Sequence, residues 1–206
     1  MLTILSFPGW GSAIVEACAE LTGLSYQTED VDPSVEGPAK DRLQKLNPLL
    51  QLPTVVLDDG SVLTESAAIA FYMADLAPGT NIVPAPGDAA RPAFLRWLVF
   101  FVAAVYPTFT YGDVPERFVT SEDARKELRA STDALRNKHF QLLESVAKGP
   151  FFLGDRLSVL DVYVWVMVHW RPGRAWFEQH TPKLAAIARS LDADPRLAKV
   201  KARNFP

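Results

Sequence analysis

The sequence predicts an α+β fold: a first part ordered β-α-β-α-β-β-α, followed by an all-helical remainder. Short β-branched and apolar runs alternate with helical periodicity up to about residue 80. Beyond about residue 89 every apolar pattern recurs at helical spacing. Between the two, Ala77 to Ala90 carries Pro78, Gly79, Pro84, Pro86 and Gly87 without periodicity, which reads as a connection. The expected organisation is therefore a domain over residues 1–80, a linker over 81–90 and an all-α domain over 91–206.

Thr3 to Phe7 is a short apolar run that stops at Pro8-Gly9, a strand followed by a turn. Ile14, Ala17, Cys18 and Leu21 then repeat at helical spacing, with Ser12 placed to cap the helix and Gly23 to end it. Leu24 to Val31 predicts a second strand, and Pro38 to Leu46 a helix closing before Asn47-Pro48. Thr54–Leu57 and Ser61–Leu63 flank Asp58-Asp59-Gly60, which is hairpin turn chemistry. Ala68, Ile69, Tyr72, Met73 and Leu76 mark the helix after it.

In the second half a helix from Pro92 is expected to stop at Pro107. A longer, polar-faced helix from Ser121 to Ala147 carries Leu128, Leu135 and Leu142 at heptad spacing. Its basic residues Arg125, Lys126, Arg129, Arg136 and Lys138 read as a solvated face, and His139 and His180 as solvated side chains. Ser158-Val159-Leu160-Asp161 is a capping box opening a helix whose core, Val162 to Val168, has no charge and should be buried on all sides. Thr181-Pro182 and Asp194-Pro195 each start a further helix with proline at its first position.

Composition narrows the function classes. With 206 residues, 49% apolar and 22% charged, the chain has ordinary globular balance, and its net charge of −3 carries no electrostatic footprint for nucleic acid or anionic lipid. The longest apolar run, Trp97 to Tyr106, has ten residues, half of a bilayer crossing, so no membrane partner is expected. The one cysteine, Cys18, supplies neither an internal disulfide nor a cysteine-based metal site, and no metal is expected. A lone thiol and the lack of an exported N-terminus make the cytoplasm the expected compartment.

Two short stretches carry local chemistry. Leu52-Pro53 directly precedes a strand, and a cis bond there would turn the Leu52 backbone outward to pair with an extended peptide ligand. A trans proline starting an edge strand is the alternative, since only about 5–6% of X-Pro bonds in folded proteins are cis. Thr64-Glu65-Ser66 opens a helix, whose N-terminus favours an anion, while Glu65 can accept from an ammonium group. Equally, Thr64 can simply cap that helix and Glu65 complement its dipole.

Taken together these features resemble the glutathione S-transferase superfamily. Asn47-Pro48-Leu49-Leu50-Gln51-Leu52-Pro53 is similar to its N-P-x-G-x-V-P stretch, and Leu63-Thr64-Glu65-Ser66-Ala67-Ala68-Ile69 to its L-x-E-S-x-A-I. Phe152-Leu153-Gly154-Asp155-Arg156-Leu157-Ser158-Val159-Leu160-Asp161 is similar to F-L-x-G-D-x-x-S-x-A-D. The resemblance implies a thioredoxin-like domain that binds glutathione as co-substrate, and an α-helical domain that holds a small electrophile. It implies a homodimer as well. Leu52, before a cis Pro53, would bond the cysteinyl backbone, Glu65 and Ser66 would hold the γ-glutamyl end, and Gln51 would lie near the glycyl carboxylate.

The sequence departs from the family at the catalytic turn. One bacterial branch has Pro-Gly-x-Cys-Ser there, and here the run is Pro8-Gly9-Trp10-Gly11-Ser12. Ser12 is the nearest hydroxyl that could donate to the glutathione sulfur, with Ser6 and the Trp10 indole as rivals, and its other reading is a plain helix cap. Trp10, Tyr106, Tyr111 and Trp170, with Phe109, are the aromatic candidates for the electrophile pocket, and core packing is the other reading of each second-half ring. The resemblance thus implies a transferase. A non-catalytic binding or regulatory member, or a glutathione-dependent lyase or isomerase, is the alternative, and thiol exchange is disfavoured without a cysteine in the turn.

Overall fold

The structure is a computed structural model that describes residues 1–206. In chain order the elements are β1 (Leu2–Ser6), α1 (Ser12–Thr22), β2 (Tyr26–Asp30), α2 (Pro38–Leu46), β3 (Thr54–Val56), β4 (Val62–Leu63) and α3 (Ser66–Leu76). Then follow α4 (Arg91–Phe100), a π-turn (Phe101–Val105), α5 (Tyr106–Asp113), α6 (Glu122–Val146), α7 (Val159–Val168), α8 (Arg174–His180), α9 (Pro182–Asp192) and α10 (Ala198–Asn204). Two compact units result: Met1–Ala85 with Arg189–Pro206, and Pro86–Ala188.

The first unit is built on a four-stranded sheet of order β2-β1-β3-β4, with β1 parallel to β2 and both β1 and β4 antiparallel to β3. Parallel β1 and β2 need a crossover, and α1 supplies it, burying Ala13, Ile14, Val15, Ala17, Cys18, Ala19 and Leu21. Leu5, Val31 and Leu43 form a core with Leu46, Leu50, Leu52 and Val56, so α2 is held to the sheet by one leucine stripe. The β3–β4 hairpin turns at Gly60, whose φ of 83° is where a side chain would be strained, and Ser61 N–H donates to Asp59 at 2.9 Å.

Within the expected all-α domain over 91–206, residues 189–206 are helical and pack with the sheet unit. Leu197 and Val200 are fully buried, and Arg203 and Asn204 bond to Ser6, Gly9, Glu16 and Asp30. Local periodicity sees a helix there but not where it docks.

In the second unit, Pro107 does not end the helix that starts at Arg91. The π-turn at Phe101–Val105 widens the coil, and Pro107 falls in the first turn of α5, where a missing N–H costs nothing. The continuous helix Arg91–Asp113 has 23 residues and is long and apolar enough, by length and composition, to cross a bilayer, longer than the helix expected to stop at Pro107. One face of it is core: Phe94, Trp97, Leu98, Phe101 and Val105 are buried, and Trp97 and Phe101 meet Phe152 edge-on at 6.2 and 6.1 Å.

On α6 the buried face is Thr132, Arg136, Phe140 and Leu143, whereas Leu135 and Leu142 stay 47% and 43% exposed. Arg136 is therefore not solvated. Its guanidinium pairs with Asp133 at 2.7 Å and lies 4.8 Å over the Phe109 ring, which compensates its burial. His139 is also half-buried against Phe100, and burial holds its pKa below the ordinary histidine value. Every residue of α7 is buried, as its uncharged core requires. Asp161 accepts from Ser158 N–H at 2.7 Å, Ser158 Oγ at 3.0 Å and Phe152 N–H at 2.6 Å, so the capping box also ties down the preceding loop. The short helix α8 has no counterpart in the sequence reading.

Candidate functional site

Strand polarity gathers three loops of the first unit at one end of the sheet. Because β3 runs against both neighbours, its start lies beside the ends of β1 and β4. The pairs Leu5↔Thr54 and Val55↔Leu63 set the register. Carried on by a few residues, that register sets Leu52 beside Phe7 on one side and beside Ser66 on the other. The peptide segment at Gln51–Pro53, the turn at Phe7–Gly11 and the N-terminus of α3 thus share one edge.

Leu52 is joined to Pro53 by a cis peptide bond. Its N–H and C=O find no hydrogen bond within the chain, so they form an open pair for an extended peptide. Asn47 shapes this segment: its Nδ2 donates to Gln51 O at 3.0 Å and Thr54 Oγ1 at 3.1 Å, and its Oδ1 accepts Leu49 N–H at 3.2 Å. By sequence Asn47 reads only as a helix stop; an asparagine ahead of two prolines before a strand is the signal for this second role. Gln51 is exposed, and Pro53 is buried.

Glu65 stands at the cap of α3 with φ 66° and ψ 106°, a region that costs a non-glycine residue about 1–3 kcal/mol. Its exposed carboxylate makes no side-chain cap, so the capping role expected as the alternative falls to neither Thr64 nor Glu65. Ser66 is half-buried at the first helical position, and the N–H groups of Ala67 and Ala68 find no acceptor in the chain. The open Ala67 and Ala68 N–H groups with a strained acidic residue beside them can hold an ion of mixed charge, carboxylate on the N–H groups and ammonium on Glu65.

The turn between β1 and α1 places the two serines differently from the reading that gave Ser12 to the sulfur. Ser12 is fully buried; its Oγ accepts Phe7 N–H at 3.2 Å and donates to Phe7 O at 3.1 Å. Its single proton is thus spent stapling the turn. Ser6 is buried as well, its Oγ accepting from Arg203 at 3.0 Å. Trp10 is 46% exposed and leans edge-on against Phe7 at 5.2 Å. The N–H groups of Gly11 and Ser12, at the start of α1, have no acceptor in the chain. Cys18 is fully buried, and burial pushes its thiol up to about 12, which leaves it unreactive.

In the second unit, Trp170 meets Tyr106 at 5.6 Å and Phe109 at 5.0 Å, both edge-on. Burial raises the Tyr106 hydroxyl above its ordinary pKa, so it stays a neutral donor. Arg171, next in sequence to Trp170, pairs with Asp113 and with Asp133 at 3.2 Å. Tyr111 does not join this cluster. It is exposed and meets Phe118 at 4.7 Å, because five residues of helix separate its face from that of Tyr106.

A sheet with an open peptide edge followed by a helical second unit is a two-part architecture, and comparison with known proteins places it in a family. Residues 12–76 match the glutathione S-transferase N-terminal domain and residues 116–203 the C-terminal domain of the same family. The GST-like protein YncG of Escherichia coli (strain K12) is 37% identical over 206 residues, covering 99% of this chain and 98% of that one. A solved glutathione transferase from Methylococcus capsulatus is 29% identical with a TM-score of 0.82, covering both chains fully (100% and 100%). A sphingomonad glutathione S-transferase, solved in complex with glutathione, is 26% identical with a TM-score of 0.80 over 99% of this chain and 100% of that one. The chain belongs to the glutathione S-transferase superfamily. Its first unit has the thioredoxin-like fold of that family.

Proposed function

We propose that the protein binds glutathione at the open edge of the first unit and presents its thiolate to a small apolar electrophile. The observation that carries this reading is the unpaired Leu52 backbone, set by the sheet register between the start of α1 and the start of α3, where the Ala67 and Ala68 N–H groups have no acceptor. The cysteinyl backbone would pair with Leu52, the γ-glutamyl end would sit on Glu65 and Ser66, and the glycyl carboxylate would lie near Gln51. Of the aromatic residues of the second unit, the Tyr106 and Trp170 cluster would meet an apolar electrophile, and Tyr111, on another face of α5, would not. Cytoplasmic residence belongs to the same proposal.

A free thiol of pKa near 8.5 is only a few per cent thiolate at neutral pH, and lowering it by about 1.5 units needs roughly 2 kcal/mol of preference for the anion. A hydrogen bond to a charged acceptor, about 1.5–3 kcal/mol, together with a helix N-terminus, is enough. The Gly11 and Ser12 N–H groups supply that better than the Ser12 hydroxyl, whose proton already goes to Phe7 O. Ser12→Ala is therefore expected to lower folding stability by about 1 kcal/mol while the ultraviolet titration of bound glutathione stays in place. A rise of about one unit in that titration would return the sulfur to the hydroxyl.

The same commitment of Ser6 and Ser12 to internal bonds favours one competing reading, a binding member without turnover. Glutathione-dependent lyase or isomerase chemistry would use the same thiolate. Assay of the full chain with an activated aryl halide separates the first: binding without turnover establishes the scaffold role. We also propose a two-fold homodimer, supported by the exposed apolar residues Leu95 and Val99 on α4 and Leu135 and Leu142 on α6. Sedimentation is expected to give twice the 22.8 kDa chain mass at micromolar concentration, and a monomer would refute the assembly.

A further inference from the structure

The end of the chain lies against the proposed sulfur site, and one of its side chains bonds the turn itself. Asn204, buried at the last position of α10, accepts Gly9 N–H on Oδ1 at 3.0 Å. Its Nδ2 donates to Glu16 Oε2 at 3.1 Å and to Val200 O at 3.0 Å, so one planar amide links the turn, α1 and its own helix. Gly9 has φ 79°, and a Cβ there would stand 3.5 Å from the Asn204 carbonyl oxygen, which places the turn directly against α10. Glu16 lies one helical turn beyond Ser12, so the amide ties Gly9 to the same end of α1 whose Gly11 and Ser12 N–H groups are unused. The neighbouring Arg203 makes a contrast: it bonds Glu16 at 3.1 Å, Ser6 at 3.0 Å and also Asp30, but nothing in the turn.

We propose that Asn204 is a positioning residue that fixes the Pro8–Trp10 turn against the start of α1 and thereby sets where the glutathione sulfur meets that helix end. The inference rests on the glutathione reading above. A terminal residue, nearly 200 positions from the turn, then governs the thiolate without touching it. Burial pushes the Glu16 carboxyl up, and the bonds from Asn204 and Arg203 pull it back, so both side chains also keep that group paired.

Asn204→Ala and Arg203→Ala, each in the full chain, separate positioning from simple anchoring. For Asn204→Ala the thiol titration of bound glutathione is expected to rise by about 0.5–1 unit, three- to tenfold less thiolate at neutral pH, with affinity changed less than about twofold. Arg203→Ala is expected to lose folding stability with the titration unmoved. An unmoved titration in the first variant, or an equal shift in both, overturns the proposal. Should Asn204→Ala not fold, amide hydrogen exchange in the wild-type chain decides: Gly9 N–H is expected to be protected at least ~100-fold, and exchange at the rate of open coil refutes the clamp. If the wild-type chain binds no glutathione, the functional reading fails instead. Exchange at Gly9 then judges the clamp by itself, faster in Asn204→Ala and unchanged in Arg203→Ala if it holds.

Discussion

Asp161→Ala is expected to lower the stability of the helical unit by about 3–5 kcal/mol, because three buried donors, Phe152 N–H, Ser158 N–H and Ser158 Oγ, lose their acceptor together. Urea unfolding followed by circular dichroism reads the loss directly, and a change below about 1 kcal/mol would mean the carboxylate is not what closes the loop onto α7. The same group adds a pH signature. Burial pushes the Asp161 carboxyl up to about 6, against the pull of the Phe152 and Ser158 bonds, while an unfolded aspartate titrates near 3.9. Between about pH 4 and 6 the native state therefore holds the extra proton, and stability falls as pH rises through that window, by up to about 3 kcal/mol. Asp161→Asn removes this term. The stability difference between wild type and that variant should shift by about 2–3 kcal/mol from pH 4 to pH 7, and a constant difference would refute the raised value.

The second large effect falls on ligand binding. Ser66→Ala is expected to weaken glutathione binding several-fold without unfolding the chain, and with Glu65→Ala added the loss should reach about a hundredfold, or roughly 3 kcal/mol. Glu65 already carries the strained backbone at the cap of α3, so its replacement leaves the helix start in place and removes only the ammonium partner. A double variant that binds as the wild type does would move the γ-glutamyl end elsewhere.

What sequence makes legible here is whatever is local. The Asp58-Asp59-Gly60 turn, the proline starts of α2 and α9 and the Ser158–Asp161 capping box each involve residues a few positions apart, and each stands where the sequence places it. The Leu52-Pro53 segment was legible as chemistry, and the sheet register then supplies its neighbours. Ser12 is ambiguous by sequence because a helix-start serine has two partners within reach, a ligand or the preceding turn, and the path of Phe7 supplies the second of them. Arg136 reads as solvated because its burial comes from packing under the Phe109 ring of α5, while its ion-pair partner Asp133 on the same helix looks alike on an exposed or a buried face. Pro107 looked like a stop because a π-turn leaves no composition signal. Residues 189–206 looked like helical-domain residues because Asn204 and Arg203 find partners some 170–200 positions away, a distance periodicity cannot see.

Calorimetric titration of the full chain with reduced glutathione tests the central claim most directly, with Ser66→Ala run beside it. Saturable binding of one tripeptide per chain and a several-fold weaker site in the variant are expected. Absence of saturable heat in the wild-type chain, or equal affinity in both, would contradict that claim.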